Sequence, residues 1–196
     1  MSNGTKERIL DAAWALVRTR GPHAVTIADI AAGAGVSRQL VYFHFANRAG
    51  LLVAMARHHD TRSGFRARAL ATRELPPAEA LAALMRAWHA YLPEILPIAQ
   101  ALEAAAITGE EGAEAWRDRM GELREAFRYA VARLEGDGRL APGWSVDAAA
   151  DWVWARCQPS SWRHLVGERE WDPHEYARRS EAAILHEIVR PRSQNV

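Results

Sequence analysis

Apolar residues recur along this chain at intervals of three and four, the spacing that keeps side chains on one face of an α-helix. Sustained apolar–polar alternation is nearly absent and no Asn-Gly hairpin turn occurs, so strands are not expected. The first helix is predicted from about Thr5 to Arg20, with Ile9, Ala12, Ala13, Leu16 and Val17 on one face and Trp14 near its edge. Thr5 is its expected N-cap, and Gly21-Pro22 its stop. The spacing Thr26-x-x-Asp29 is a capping-box variant that opens a short second helix, Ile27 to about Gly33. Ser37 then caps a third helix over 38–44. Asn47 caps a fourth, whose apolar run Leu51, Leu52, Met55 continues toward Leu70.

Leu75-Pro76-Pro77 marks a boundary, after which helices are expected at about 77–91 and 94–107, separated by Pro93 and interrupted near Pro97. Another helix is expected over 110–135, with Trp116, Met120, Leu123, Phe127, Ala130 and Leu134 in register. A loop from Gly136 to Gly143 leads to a helix capped by Ser145 that reaches about 166 and is kinked at Pro159. Asp172-Pro173 opens the last helix, which runs to about Val189 before Pro191. The expected fold class is all-α, with about nine helices.

Composition narrows the functional classes. The chain has 196 residues, of which 49% are apolar, enough for a real core and against wholesale disorder. A single cysteine, Cys157, excludes an intrachain disulfide framework and a multi-cysteine metal site. The longest uncharged run, Gln39 to Asn47, has nine residues, against the roughly 20 a membrane-spanning helix needs. The polar start Met1 to Thr5 predicts no signal peptide. Together these point to a cytoplasmic protein with no membrane partner.

The net charge of +1 hides an asymmetry: residues 1–73 carry a net +7 and residues 74–196 a net −6. A basic front suggests an N-terminal part that meets a polyanion, although chance clustering gives the same imbalance. Only Lys6 is a lysine among 25 basic residues, and there are 39 alanines, which reads as genomic background rather than function.

Residues 26–45 place two short helices around a tight turn containing Gly35, the helix-turn-helix arrangement. Ala31 is small where the helices cross, and Ile30, Val36, Val41 and Phe45 can close a miniature core. The remaining face of the second helix of the pair holds Arg38, Gln39, Tyr42, Phe43 and His44. Arginine can bond guanine and glutamine adenine in bidentate fashion, while tyrosine and histidine can donate to phosphates. The N–H groups beside Thr26 and Ser37 add anion sites. Short helix pairs also occur in many helical proteins that bind no DNA.

The residues Ile30-Ala31, Ala34-Gly35-Val36-Ser37, Tyr42-Phe43-His44-Phe45, Asn47-Arg48 and Leu51-Leu52 resemble the signature of the TetR (tetracycline-repressor-like) transcriptional regulators. The resemblance covers about residues 5–55. It implies a homodimer on a near-palindromic DNA operator, released when a small hydrophobic effector enters a C-terminal helical domain. Thr26, Ser37, Tyr42, His44 and Arg48 fall where backbone contacts are usual, and Arg38, Gln39 and Phe43 where base readout varies. Two positions depart from the pattern: Arg48 stands for the usual lysine and Ala49 for a common glutamate. The implied domains are a helix-turn-helix domain at 1–50, a connecting helix at 51–75, and an effector-binding and dimerisation domain at 76–196.

Seven of the eight tryptophans lie beyond residue 80. Trp88, Tyr91, Trp116, Met120, Phe127, Trp152 and Arg156 are candidate effector-pocket residues, although the same aromatic residues suit ordinary core packing. By resemblance, the last two helices form the dimer interface, with Trp152, Val153, Ile184 and Ile188 as its apolar candidates. No cofactor and no metal are expected: His58-His59-Asp60 is not spaced for one helix face, and Gly33-Ala34-Gly35 lacks the third glycine of a dinucleotide fingerprint. The exposed polar set at 26–48 suits neither a core nor catalysis, so an enzyme is not expected. Competing readings are a regulator of the same fold without a small ligand, and an all-helical carrier or enzyme.

Overall fold

The structure, a computed structural model, describes residues 3–109 and 113–191. Among them are ten α-helices and no strand: α1 (Asn3–Arg20), α2 (Ile27–Ala34), α3 (Arg38–His44), α4 (Arg48–Arg62), α5 (Phe65–Ala71), α6 (Pro77–Thr108), α7 (Ala113–Gly136), α8 (Val146–Arg156), α9 (Pro159–Trp162) and α10 (Pro173–Ile188). The all-α expectation holds, while several boundaries move for identifiable reasons.

Helix α1 starts at Asn3, so Thr5 lies within it and is not its cap. The long fourth helix is divided, because Gly64 takes φ +74° and ends α4 before α5 begins. Pro93 and Pro97 do not divide α6, which runs 32 residues through both. Each proline removes one intrahelical hydrogen bond, but both lie on the exposed side, while Tyr91, Leu92, Ile98 and Leu102 bury the opposite face. The start expected at 110 for the next helix lies outside the described residues; α7 is helical from Ala113. The helix expected to reach 166 breaks at Cys157-Gln158, just before Pro159, and continues as the short α9 and a six-residue π-helical turn over 163–168.

The chain divides into two compact units, Met1–Gly64 with Glu94–Met120, and Phe65–Pro93 with Gly121–Val196. In the first, Ile9, Leu10, Ala13 and Val17 of α1 pack with Ile30, Ala31 and Ala34 of α2, Val41 of α3, and Leu51, Leu52 and Met55 of α4. Ile98, Leu102 and Ala115 complete this core. A polar network flanks it. Arg119 binds Asp60 at 2.6 Å and Asp118 at 2.7 Å, and Arg57 also bonds Asp118. Burial pushes the Asp118 carboxyl up, but the two guanidinium groups outweigh it and hold the group below its ordinary 3.8.

A depressed carboxylate stabilises the fold above its unfolded pKa, and that contribution fades as pH falls through the folded value. Asp118→Asn is therefore expected to lower the melting temperature at pH 7, with the deficit shrinking as pH falls below 3.8. Melts at pH 7 and at acid pH check this; a deficit independent of pH would contradict it.

In the second unit, Leu81, Met85, Trp88, Tyr91, Phe127, Val131, Leu134, Val153, Trp162, Tyr176, Ile184 and Ile188 are buried. The Trp88 indole N–H donates to the Cys157 carbonyl at 2.7 Å, which satisfies an acceptor at the broken end of α8. Arg133 donates to the carbonyls of Arg73 and Leu75 at 2.7 and 2.9 Å, pinning the connection between α5 and α6.

Candidate nucleic-acid interface

The turn between α2 and α3 is built by local chemistry. Gly35 ends α2 at φ +65°, where a side chain would be strained, and Val36 N–H donates to the Ala31 carbonyl at 2.9 Å. Thr26 and Asp29 form the capping box: Asp29 N–H donates to Thr26 Oγ1 at 3.1 Å, and Thr26 N–H donates to the Asp29 carboxylate at 2.8 Å. Ser37 Oγ accepts from Leu40 N–H at 3.2 Å and starts α3. Asn47 accepts from Gly50 N–H at 2.8 Å and starts α4.

Seven-residue α3 buries Val41 alone, with Phe45 buried just beyond its end. Its other face is open. Arg38 and Gln39 are exposed at its N-terminal end, and Tyr42 and Phe43 are 55% and 80% exposed. Phe43 thus adds nothing to the core of its own chain and, beside Tyr42, leaves an aromatic surface open on α3. His44 is half-buried, its ring edge-on to Phe43 at 5.4 Å. Arg48 is half-buried and donates to the Val25 carbonyl at 3.3 Å, which holds its guanidinium beside the α2 cap.

Thr26 differs from expectation. Its hydroxyl donates to Asp29 at 2.5 Å, so it is committed inside the cap. These Thr26 hydrogen bonds, with Arg20 at 3.7 Å, hold Asp29 below the ordinary carboxylate range. A carboxylate thus already occupies the start of α2, where an external anion site was expected. The start of α3 holds no such carboxylate, because Ser37 is followed by Arg38 and Gln39. Sequence reasoning gave Lys6 no role, yet its ammonium lies 5.8 Å from the Phe45 ring centroid, adding a positive charge beside the end of α3. The basic excess of the first third was the one signal for it.

The other candidates separate. Trp116 and Met120 belong to the first unit, with Trp116 packed on its core. Trp88, Tyr91 and Phe127 are core residues of the second, 3%, 1% and 0% exposed. Arg156 is exposed, lies over the Trp152 ring at 4.4 Å and pairs with Glu187, so it faces solvent rather than an interior wall. Val153, Ile184 and Ile188 are buried within their own chain and offer no surface to a partner. Trp152 is half-buried, hydrogen-bonded to Glu187 and tilted against Trp144 at 6.1 Å, and it alone of the four retains surface for one. His58 and His59 both face α1, against Asp11 and Trp14, and line one cavity with Arg62 and Ser63, while Asp60 turns away to Arg119.

Comparison with known proteins places this geometry. The profile of the family "Bacterial regulatory proteins, tetR family" matches residues 9–55, which contain the helix pair. The uncharacterized HTH-type transcriptional regulator YvkB of Bacillus subtilis (strain 168) is 38% identical over 60 residues, or 31% of this chain. That match spans about a third, 32%, of the curated relative's own length. A TetR-family transcriptional regulator from Rhodococcus sp. superposes with a TM-score of 0.76 at 22% identity, covering 92% of this chain and 96% of that one. A transcriptional regulator from Saccharomonospora viridis, solved in complex with choline, gives 0.76 at 19% identity over 97% of this chain and all (100%) of that one. At these identities the structures share the fold, and the motif match lies in the helix pair itself. Residues 9–55 thus match the helix-turn-helix segment of the tetR family of bacterial regulatory proteins, and the chain as a whole shares the all-α fold of the solved regulators.

Proposed function

We propose that this chain is a DNA-binding transcriptional regulator, acting as a homodimeric repressor on a palindromic operator. A small apolar or aromatic effector bound within residues 76–196 releases it. The observation that carries DNA binding is the outer face of α3, where Arg38, Gln39, Tyr42 and Phe43 are all exposed. Arg38 and Gln39 read bases, and Ser37, Tyr42, His44 and Arg48 hold phosphates. Thr26 acts through the cap that sets the pitch of α2. Effector control finds support in the relative solved with choline, a small molecule bound by that protein. The dimer forms through the outer faces of α8 and α10 around Trp152, and two-fold symmetry matches the palindrome. A regulator without a small ligand is the second reading, favoured by the close core packing of Trp88, Tyr91 and Phe127.

Gel shifts with the DNA upstream of the chain's own coding region test this reading. Arg38→Ala or Gln39→Ala is expected to cost about 1–3 kcal/mol at particular operator positions and to spare nonspecific binding. Arg48→Ala is expected to weaken all sequences alike and to flatten the salt slope by about one unit. Sedimentation of the complex is expected to give two chains per operator. A full-affinity monomer complex overturns the dimer, and salt-independent binding overturns the phosphate contacts.

A further inference from the structure

In the second unit, α6 carries His89 into the interior, where 1% of it remains exposed. Among the described residues, neither Nδ1 nor Nε2 finds a hydrogen-bond partner. The Trp162 ring lies 6.4 Å away at 27°, the Tyr176 ring 5.3 Å away and edge-on, and these two rings meet at 5.1 Å. Desolvation alone pushes the His89 pKa down to about 4, so the imidazole is neutral at pH 7. A neutral imidazole has one N–H donor and one nitrogen acceptor, and burying both unmade is costly. Trp88, one residue before it, shows that the same interior satisfies its other polar groups, through the Cys157 carbonyl at 2.7 Å. A leucine or phenylalanine would fill the position without that cost.

The two rings covering His89 hang on one irregular segment. Trp162 ends the four-residue α9. The π-helical turn over 163–168 follows, then Glu170 at φ +57°, a left-handed conformation unusual for a residue with a side chain. Helix α10 then returns with Tyr176. π-Turns and left-handed non-glycine residues are strained backbone that concentrates at ligand sites and moving walls.

We infer that His89 is the polar anchor of the effector site, one of its ring nitrogens bonding the hydroxyl group of an uncharged, otherwise apolar molecule seated between Trp162 and Tyr176. This rests on the reading of the chain as an effector-controlled regulator. An uncharged ligand follows from the surroundings, since the Trp162 and Tyr176 rings cover an imidazole that is 1% exposed. An ionised group would therefore lose its hydration there. The segment carrying Trp162 swings to admit the ligand, and its hydroxyl makes one of the two hydrogen bonds that His89 lacks.

The test uses the full chain with nitrogen-15-labelled histidine rings. The probes are benzyl alcohol, cyclohexanol and 1-octanol, each beside the hydrocarbon of matching shape: toluene, methylcyclohexane and nonane. One ring is expected to stay neutral down to about pH 4, to shift with at least one alcohol, and to respond to no hydrocarbon. His89→Phe is expected to weaken that alcohol about tenfold or more and to raise the melting temperature by about 2–4 °C, as is the smaller His89→Leu. If no alcohol moves the His89 resonances, or choline does and no alcohol does, the inference is overturned. It is overturned equally if both variants melt lower and bind alcohol unchanged. Operator binding is measured separately by gel shift, with His89→Phe expected to bind as the natural chain does. Alcohol binding without release of DNA upholds the anchor and overturns effector control of the operator.

Discussion

Replacing Val41 with aspartate is expected to destabilise the chain by about 3–5 kcal/mol and to abolish operator binding. Val41 is fully buried, and it is the one buried residue of α3. A seven-residue helix does not persist by itself in water, so α3 exists because Val41 and the following Phe45 dock it onto α1, α2 and α4. A carboxylate there has no partner in an apolar core and either undocks the helix or is forced neutral. Thermal melts followed by circular dichroism, alongside gel shifts, check this. Tyr42→Asp is the control, since Tyr42 is 55% exposed one residue further along the same helix. It is expected to lose DNA binding by charge repulsion while melting as the natural chain does. Equal melting temperatures for the two variants would show that α3 does not depend on Val41.

The second large effect is expected at Trp88. Trp88→Ala is expected to cost about 3–5 kcal/mol for the lost side chain and its cavity, and about 1–3 more for the orphaned Cys157 carbonyl. For a chain of this size each kcal/mol lowers the melting temperature by about 2–4 °C. The indole is 3% exposed, packs against Phe65 and Tyr91 at 5.7 and 6.2 Å, and closes the break between α8 and α9. Trp88→Phe keeps most of the packing and loses only the hydrogen bond, so it is expected to show the smaller cost alone. If the two variants melt together, packing around Trp88 contributes little and the hydrogen bond accounts for the effect.

The helix-turn-helix is legible in the sequence because the caps and the turn that mark it are local. Thr26 reaches three residues to Asp29, Ser37 three to Leu40, and Gly35 supplies the turn between the helices. Caps and left-handed glycines act within one turn of backbone, so residue order alone dictates them. The exposed set on α3 follows equally, since helical periodicity that buries Val41 turns Gln39, Tyr42 and Phe43 outward, and Arg38 is exposed at the helix start. The capping box that the Thr26-x-x-Asp29 spacing predicts is present, and the Thr26 hydroxyl bonds Asp29 within it.

Beyond residue 64 the sequence underdetermines the result, because competing long-range contacts decide it. Pro93 and Pro97 are helix breakers by local rules, yet burial on the opposite face carries α6 past both. The family resemblance offered Val153, Ile184 and Ile188 to a partner or to internal packing alike, because an apolar face does not say what covers it, and their own chain does. Likewise Trp88, His89 and Cys157 are far apart or unremarkable in order. Only folding sets the Trp88 indole on the Cys157 carbonyl and leaves His89, next to it, buried among rings with nothing to bond among the described residues. The sequence by itself determined the helix class, the caps of α2, α3 and α4 and the outward face of α3, since these depend on neighbours within four residues. Tertiary structure decided which apolar faces were consumed within the chain and which polar group was stranded in its interior, since burial is a property of all the packed elements at once.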